Sequence, residues 1–379
     1  MKLLKIICGV ACLLLLAAQV WSMLHWNEAR GVYDDICYLR QAHLFQRFGL
    51  GGLDTDISRD DDGYLAAKLK EIGYAEKLPP CHTPMPKTNK LVIQYPPGTG
   101  MVLAAFPEGH QVIPLFVSAT VVMFGFALLG ILLARSVQSI VLATALGCLA
   151  IYIMINPVKA SYSMAPTMVV CALAGFLTAK LFAGSEPKHR IWLTLLLGFL
   201  LGLSVNLRLP NLFLSAGYFL FFLVSFLSTR KPSIAIRGIG LGAAFLVGMA
   251  PTLVANAINA GSPLATTYGG QDVVPPDFSF AIVTQYLGDL QFVLLALAGA
   301  SIAAVLLTRN EPGVRRVALV IAANLVVNLA FFLSHPLFTP YYTIPIAMLS
   351  LWSLSFAALL GPAEAVDERL AGQAADVRS

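Results

Sequence analysis

Charge is scarce in this chain: only 12% of its 379 residues are Asp, Glu, Lys or Arg, about half the share of an ordinary soluble domain. That scarcity excludes a solvated globular surface. Histidine is sparse too. His25, His43, His82, His110, His189 and His335 stand apart, with no pair at zinc-ligand spacing. No Walker A loop and no dinucleotide fingerprint occurs, so nucleotide binding has no motif to rest on. Internal repeats, heptads and low-complexity tracts are missing as well. The net charge of +5 comes from cations gathered in short loops, a pattern of membrane orientation rather than nucleic-acid binding.

What is present is apolar: 58% of residues are hydrophobic, arranged in long runs rather than amphipathic stripes. Runs of about 20 residues are the length that crosses a bilayer as a helix. Ten spans are predicted, at 5–23, 111–134, 137–156, 164–183, 191–206, 211–229, 238–257, 290–308, 317–334 and 342–361. The fold class is therefore an all-α polytopic membrane protein with a large first outer loop carrying interfacial helices. Four parts follow: a first transmembrane helix (1–23), an external loop (24–110), a helical membrane body (111–362) and a polar tail (363–379). The apolar stretch 91–107 is broken by "YPPGTG" and reads as a re-entrant or interfacial segment. "GLGAA" in the seventh span reads as helix packing by small residues.

With the N-terminus inside, the inner connections carry Arg135, Lys188, Arg190, Arg230, Lys231, Arg237, Arg309, Arg315 and Arg316. The short outer ones carry little beyond Lys159 and Arg208, as the positive-inside rule requires. The first span is alternatively a cleaved signal peptide, although no clear A-x-A site follows it; the 24–110 loop stays outside either way. Cys8, Cys12, Cys148 and Cys171 fall in spans and act as small apolar residues. Cys37 and Cys81 share the outer loop, where a disulfide is permitted and would tie the loop's first helix to "KLPPCHTPMPK". In "DTDISRDDDG", Asp54, Asp56, Ser58 and Asp60 alternate as hard-cation ligands do. Arg59, however, takes the place of the EF-hand glycine, and no terminal glutamate follows. A divalent cation or a solvated acidic turn both remain readings of that patch.

About ten residues beyond the first span lie two adjacent acids, Asp34 and Asp35, at the start of a predicted amphipathic helix running to Phe48. A carboxylate at the lipid–water boundary can accept a proton from an attacking hydroxyl while the bilayer delivers a lipid-borne substrate. Alternatively, the pair caps and solvates the helix.

The order of elements resembles the GT-C glycosyltransferases, polytopic enzymes that use polyprenyl-phosphate-linked sugars. Within them it is most similar to the protein O-mannosyltransferase and lipid A aminoarabinose transferase group. Asp34, Asp35 and Tyr38 follow the first span as that group's acidic pair and tyrosine do. "YPPGTGMVLAAFP", "GFLLGLSVNLRLPNLFL", "NAINAGSPLATTYGG" and "TPYYTIPI" match its later segments in order and topological side. Departures are Asp-Asp for the usual Asp-Glu, Ala165 rather than an acid before Pro166, no arginine before Tyr341 or Tyr342, and no soluble C-terminal domain. The resemblance implies a bacterial inner-membrane enzyme whose site faces the periplasm. Its partners would be a polyprenyl-phosphate-linked sugar and a hydroxyl acceptor on a lipid, glycan or protein.

On that reading Asp34 is the general base and Asp35 orients acceptor or structure. Arg208 binds the donor phosphate, because its fork suits phosphate and an arginine at a membrane boundary is expensive unless satisfied; the alternative is snorkelling to headgroups. Lys159 and His335 are further phosphate candidates, with Lys87 and Lys90 behind them. Tyr38, Tyr95, Tyr268, Tyr341 and Tyr342 would line the sugar pocket or anchor the membrane interface. Two rival functions are a secondary transporter or lipid flippase and an outer-leaflet acyltransferase or ligase. The spans hold almost no ionisable residue at mid-depth, against the first, and no close histidine–acid cluster supports the second.

Overall fold

A backbone inside a bilayer must satisfy its own polar groups, so apolar runs of this length become helices. The computed structural model describes residues 1–26, 35–74, 78–154, 161–184, 190–269, 275–335 and 337–361. Asp34, Lys159 and the 363–379 tail lie outside the described residues. Nine helices among those described are long and apolar enough to cross a membrane. They are α1 (Lys2–Leu24), α5 (Val112–Leu133), α6 (Val137–Met154), α7 (Met164–Phe182), α8 (Arg190–Leu207), α9 (Ala216–Thr229, extended by a 3-10 segment Leu209–Ser215), α10 (Pro232–Ala260), α12 (Leu290–Thr308) and α13 (Pro312–Ser334). The tenth predicted span is α14 (Ile344–Leu360), apolar but 17 residues long, the lower end of what crosses a bilayer; the short α11 (Phe280–Leu287) precedes α12. The chain is an all-α, multi-pass membrane protein in this sense.

α10 and α13 begin earlier than the hydropathy suggests. Each starts with a proline, Pro232 or Pro312, whose fixed φ suits the first helical position. The helices thus extend past the apolar edge and carry Arg237, Arg315 and Arg316 within their first two turns.

α7 and α14 pack together at the centre and are buried almost all round. Gly175 lets α7 approach the backbone of α14 at Trp352. α8 and α10 form the other tight pair: a Cβ on Gly198 or Gly202 would strike backbone oxygens of Leu241 or Phe245, and one on Gly248 would strike Phe199. "GLGAA" takes part in this contact as expected of small residues: Gly198 meets the backbone of Leu241, and a Cβ on Gly240 would approach Leu195 and Ile191 of α8, while Gly242 faces the Phe219 ring. α1 is mostly exposed, with Leu3, Ile6, Val10 and Leu14 facing outward, as a lipid-contacting helix should be.

The outer loop is more than interfacial helices. After α2 (Asp35–Phe48) come two 3-10 turns, α3 (Tyr64–Glu71), an antiparallel hairpin of β1 (His82–Met85) and β2 (Lys90–Ile93), and α4 (Gly98–Leu103). Gly49, at φ +54°, ends α2 in the left-handed conformation that glycine tolerates. The stretch 91–107, predicted as re-entrant or interfacial, is made of β2 and the six-residue α4 joined by a turn. Asn259 near the end of α10 binds the loop, accepting from Thr55 N (3.0 Å) and donating to Leu53 O (2.8 Å). The loop therefore sits on one end of the bundle. Arg237 lies 22 residues back along α10, about 33 Å away at 1.5 Å per residue.

Candidate functional site

Asp35 is 1% exposed, and its fixation begins in the turn ahead of α7. Its Oδ1 accepts from Ser161 Oγ (2.8 Å) and Tyr162 N (3.0 Å). Ser163 in turn donates to Ser161 Oγ (3.1 Å). One carboxylate thus ties the start of α2 to the start of α7 across 126 residues of chain.

Arg208 follows α8 in extended backbone and is 6% exposed, which rules out snorkelling. Its Nη1 donates to Met164 Sδ (2.9 Å), and its guanidinium lies 4.9 Å from the Tyr341 ring centre and 5.5 Å from that of Tyr342. No described carboxylate comes within ion-pair distance of it. A thioether is a weak acceptor, and ring faces supply only part of what water would.

The five predicted tyrosines gather at this end. Tyr38 stacks on Tyr95 (5.1 Å), Tyr95 meets Tyr268 edge-on (5.9 Å), and Tyr341 meets Tyr342 edge-on (5.8 Å). Tyr341 joins the two groups electrostatically. Burial pushes its phenol well above the usual range; Arg208 opposes that, while Asp35, Tyr342 and Tyr38 add to it. Asp35 and Arg208 therefore act on one tyrosine with opposite sign. His335 stacks on Phe331 (5.7 Å). Lys90 is held by Asp54 (3.0 Å) and does not reach the site.

The supports of this arrangement were not predicted. Gln291 at the start of α12 holds the tyrosine loop from both sides, donating to Thr339 O (3.0 Å) and accepting from Thr343 N (2.7 Å). Asn206, two residues before Arg208, fills the gap beside Pro251 in α10. Its Nδ2 donates to Gly248 O (2.7 Å) and its Oδ1 accepts from Thr252 N (2.9 Å). Gly98 and Gly100 of "YPPGTG" let α4 lie against Asn206 and Gln41, with Thr99 Oγ1 donating to Leu207 O (3.0 Å). A lone Asn near a helix end gives the only advance signal of this, and a weak one.

Beneath the site lies an apolar cavity of about 20 Å³ bounded by Met164, Pro340 and Tyr341. It has room for about one water, so a sugar ring does not fit there without displacing side chains.

The acidic patch is occupied by protein. Arg40, fully buried, donates to Thr55 O (2.8 Å) and Asp56 O (2.9 Å) and lies 3.8 Å from Asp60. Burial pulls its pKa below the ordinary value, although Asp60, Asp56, Asp54 and Asp62 pull the other way. Asp56 is held low despite burial, by hydrogen bonds from Ser58, Leu91 N and Ile57 N. Asp61 and Asp62 pair with Arg47. His43 sits between Asp62 (2.8 Å) and Glu108 (3.0 Å).

Cys37 and Cys81 form a disulfide with Cα atoms 6.6 Å apart. Cys37, Cys81 and His82 are the described residues grouped closely enough to ligate a metal, but the disulfide leaves no thiolate to do so. His82 Nδ1 donates to Pro80 O (2.7 Å) and its Nε2 accepts from Arg40 (3.2 Å). Burial lowers its pKa to about 4, against the Pro80 hydrogen bond and with the help of Arg40. Comparison with models of known families, with characterised proteins and with solved structures finds no match to this chain.

Proposed function

We propose that the protein is a membrane glycosyltransferase of the GT-C type, moving a sugar from a polyprenyl-phosphate donor to an acceptor hydroxyl on the outer face. The observation that carries this reading is Arg208: a buried guanidinium at a bundle end, beside a tyrosine cluster, without a described carboxylate partner. A phosphate would supply the charge and the paired acceptors that a thioether and two rings do not. The leaving group of polyprenyl-phosphate transfer is such a phosphate, and its prenyl chain belongs in the bilayer alongside.

Asp34, the covalent neighbour of the locked Asp35, is the proposed base. It takes the proton of the acceptor hydroxyl as that oxygen bonds the sugar's anomeric carbon and the bond to phosphate oxygen breaks. Arg208 stabilises the charge left on the phosphate. The tyrosines stack against the sugar. On this reading the loop end faces the periplasm of a bacterial inner membrane.

Deleting the gene and profiling glycolipids and surface glycans by mass spectrometry tests the proposal. One glycoform should disappear, return with the intact gene, and stay missing with Asp34→Asn at equal protein level. An unchanged glycan profile together with a lost transport phenotype would favour the carrier reading instead.

A further inference from the structure

At the end of the bundle opposite Asp35 and Arg208, about 27 Å away along the 18 rises of α7, a second cavity of about 820 Å³ opens among α7, α8, α9, α10 and α13. That volume lies in the range of ligand sites. Four cations line it: Arg190, Lys231, Arg237 and Arg316. No carboxylate lines it among the described residues, and none of the four ion-pairs with a described carboxylate. Arg190 Nε and Arg237 Nε are both buried without a hydrogen-bond partner, and the two side chains repel one another electrostatically. Like charges brought together at the cost of hydration need an anion between them.

The chemistry of the walls narrows the anion. Ser225, Ser228 and Ser233 add hydroxyl donors near the cations. The starts of α8 and α10 lie here too, and α10 has no side-chain cap on its first N–H groups, so its positive end adds to the field. The mouth, in contrast, is apolar. Leu220, Val224 and Leu319 line the cavity yet are 43%, 57% and 54% exposed, so it opens sideways onto the lipid-facing surface. A soluble anion would meet that apolar rim, whereas a lipid would lay its chains on it.

We infer that this cavity binds the phosphodiester headgroup of an anionic phospholipid from the leaflet that the positive-inside rule assigns to the cytoplasm. Basic pockets between transmembrane helices on that side recognise such headgroups. The site is separate from the proposed transfer site and does not depend on it.

The test uses the purified full chain and native mass spectrometry with three probes: dioleoylphosphatidylglycerol, dioleoylphosphatidylcholine and inorganic phosphate. Phosphatidylglycerol should be retained on the order of thirtyfold better than phosphatidylcholine, as expected for two or more desolvated cations near one phosphate. Arg237→Gln with Arg316→Gln should bring the two lipids to parity, and Arg237→Lys should keep most of the preference. The exposed Lys231→Gln, which leaves packing intact, should keep most of the preference, since a hydrated ammonium adds less than the two desolvated guanidinium groups. Equal retention of both lipids by the unaltered protein would overturn the inference. So would preference persisting in the double Gln variant, or loss of bound phosphatidylglycerol to millimolar inorganic phosphate, which would assign the site to a soluble anion.

Discussion

Replacing Arg208 by methionine separates a ligand-binding cation from a structural one. The side chain keeps its length and apolar packing against Tyr341 and Tyr342 but loses the guanidinium. In a structural role the change should destabilise, since breaking a buried ion pair costs about 3–5 kcal/mol. Here no described carboxylate is left behind: the guanidinium's partners are Met164 Sδ and two ring faces. Two cation–π contacts contribute roughly 0.5–2 kcal/mol each, while burying the ion costs several, so Tm should stay level or rise. Ligand binding should respond in the opposite direction. Two charge-assisted hydrogen bonds to phosphate at about 1.5 kcal/mol or more each sum to roughly 3 kcal/mol, or on the order of a hundredfold in affinity. The assay needs no knowledge of the sugar. Polyprenyl phosphate, common to all such donors, and the uncharged polyprenol are compared for binding to purified protein in nanodiscs. Unaltered protein should prefer the phosphate, Arg208→Met should lose that preference, and Arg208→Lys should recover part of it. Equal binding of phosphate and alcohol by the unaltered protein would refute the reasoning, as would a fall in Tm with phosphate binding intact.

Four further outcomes are expected. Asp34→Asn should lower transfer by 10²–10⁴ with folding unchanged, whereas Asp35→Ala should lower Tm by removing the acceptor that Ser161 and Tyr162 share, about 1–3 kcal/mol; the reverse pattern in activity and melting would exchange their roles. Opening the Cys37–Cys81 bridge, which closes a loop of 44 residues, should cost about 4 kcal/mol by chain entropy, read as a lower Tm in Cys37→Ser/Cys81→Ser. Because His82 titrates near 4 when folded and near 6.5 when unfolded, the unfolded chain binds more protons between those values. Stability is then full above pH 6.5 and falls toward pH 4, by about 3 kcal/mol. In His82→Asn that slope should vanish, and melting curves across the window will show whether it does. Reporter fusions at Ser58 and Arg237 should give opposite sides; one shared side would contradict the placement of the loop end.

The spans were legible because hydropathy over some 20 residues is a dense signal, and helix ends were misjudged most where Pro232 and Pro312 carry helices past the apolar edge. The loop's hairpin was not legible. Its strands are four residues each, and Pro84 opposite Leu91 argues against a strand by composition. The Arg40–Asp60–His82 network was hidden for a different reason: its members lie up to 42 residues apart, and nothing in periodicity pairs them. The tyrosines and Arg208 stood out as residue types at predicted boundaries. Gln291 and Asn206 did not, because a single amide in an apolar run does not reveal which backbone groups it serves.

The acidic pair now divides by physical circumstance rather than by position in a motif. Asp35 is buried, and one of its oxygens is committed to the turn before α7. A general base must reach the hydroxyl it deprotonates, and a carboxylate so enclosed is better suited to holding than to reacting. What it holds matters. Tyr162, bound to Asp35, is two residues from Met164, which receives Arg208, and Tyr341 lies under the influence of both charged groups. Asp35 therefore fixes the start of α2 relative to the arginine proposed for the donor phosphate. Proton transfer and leaving-group stabilisation require such a fixed spacing. The sequence places Asp35 and Arg208 173 positions apart, and the short chain of contacts through Ser161, Tyr162 and Met164 is what brings them to one end of the bundle.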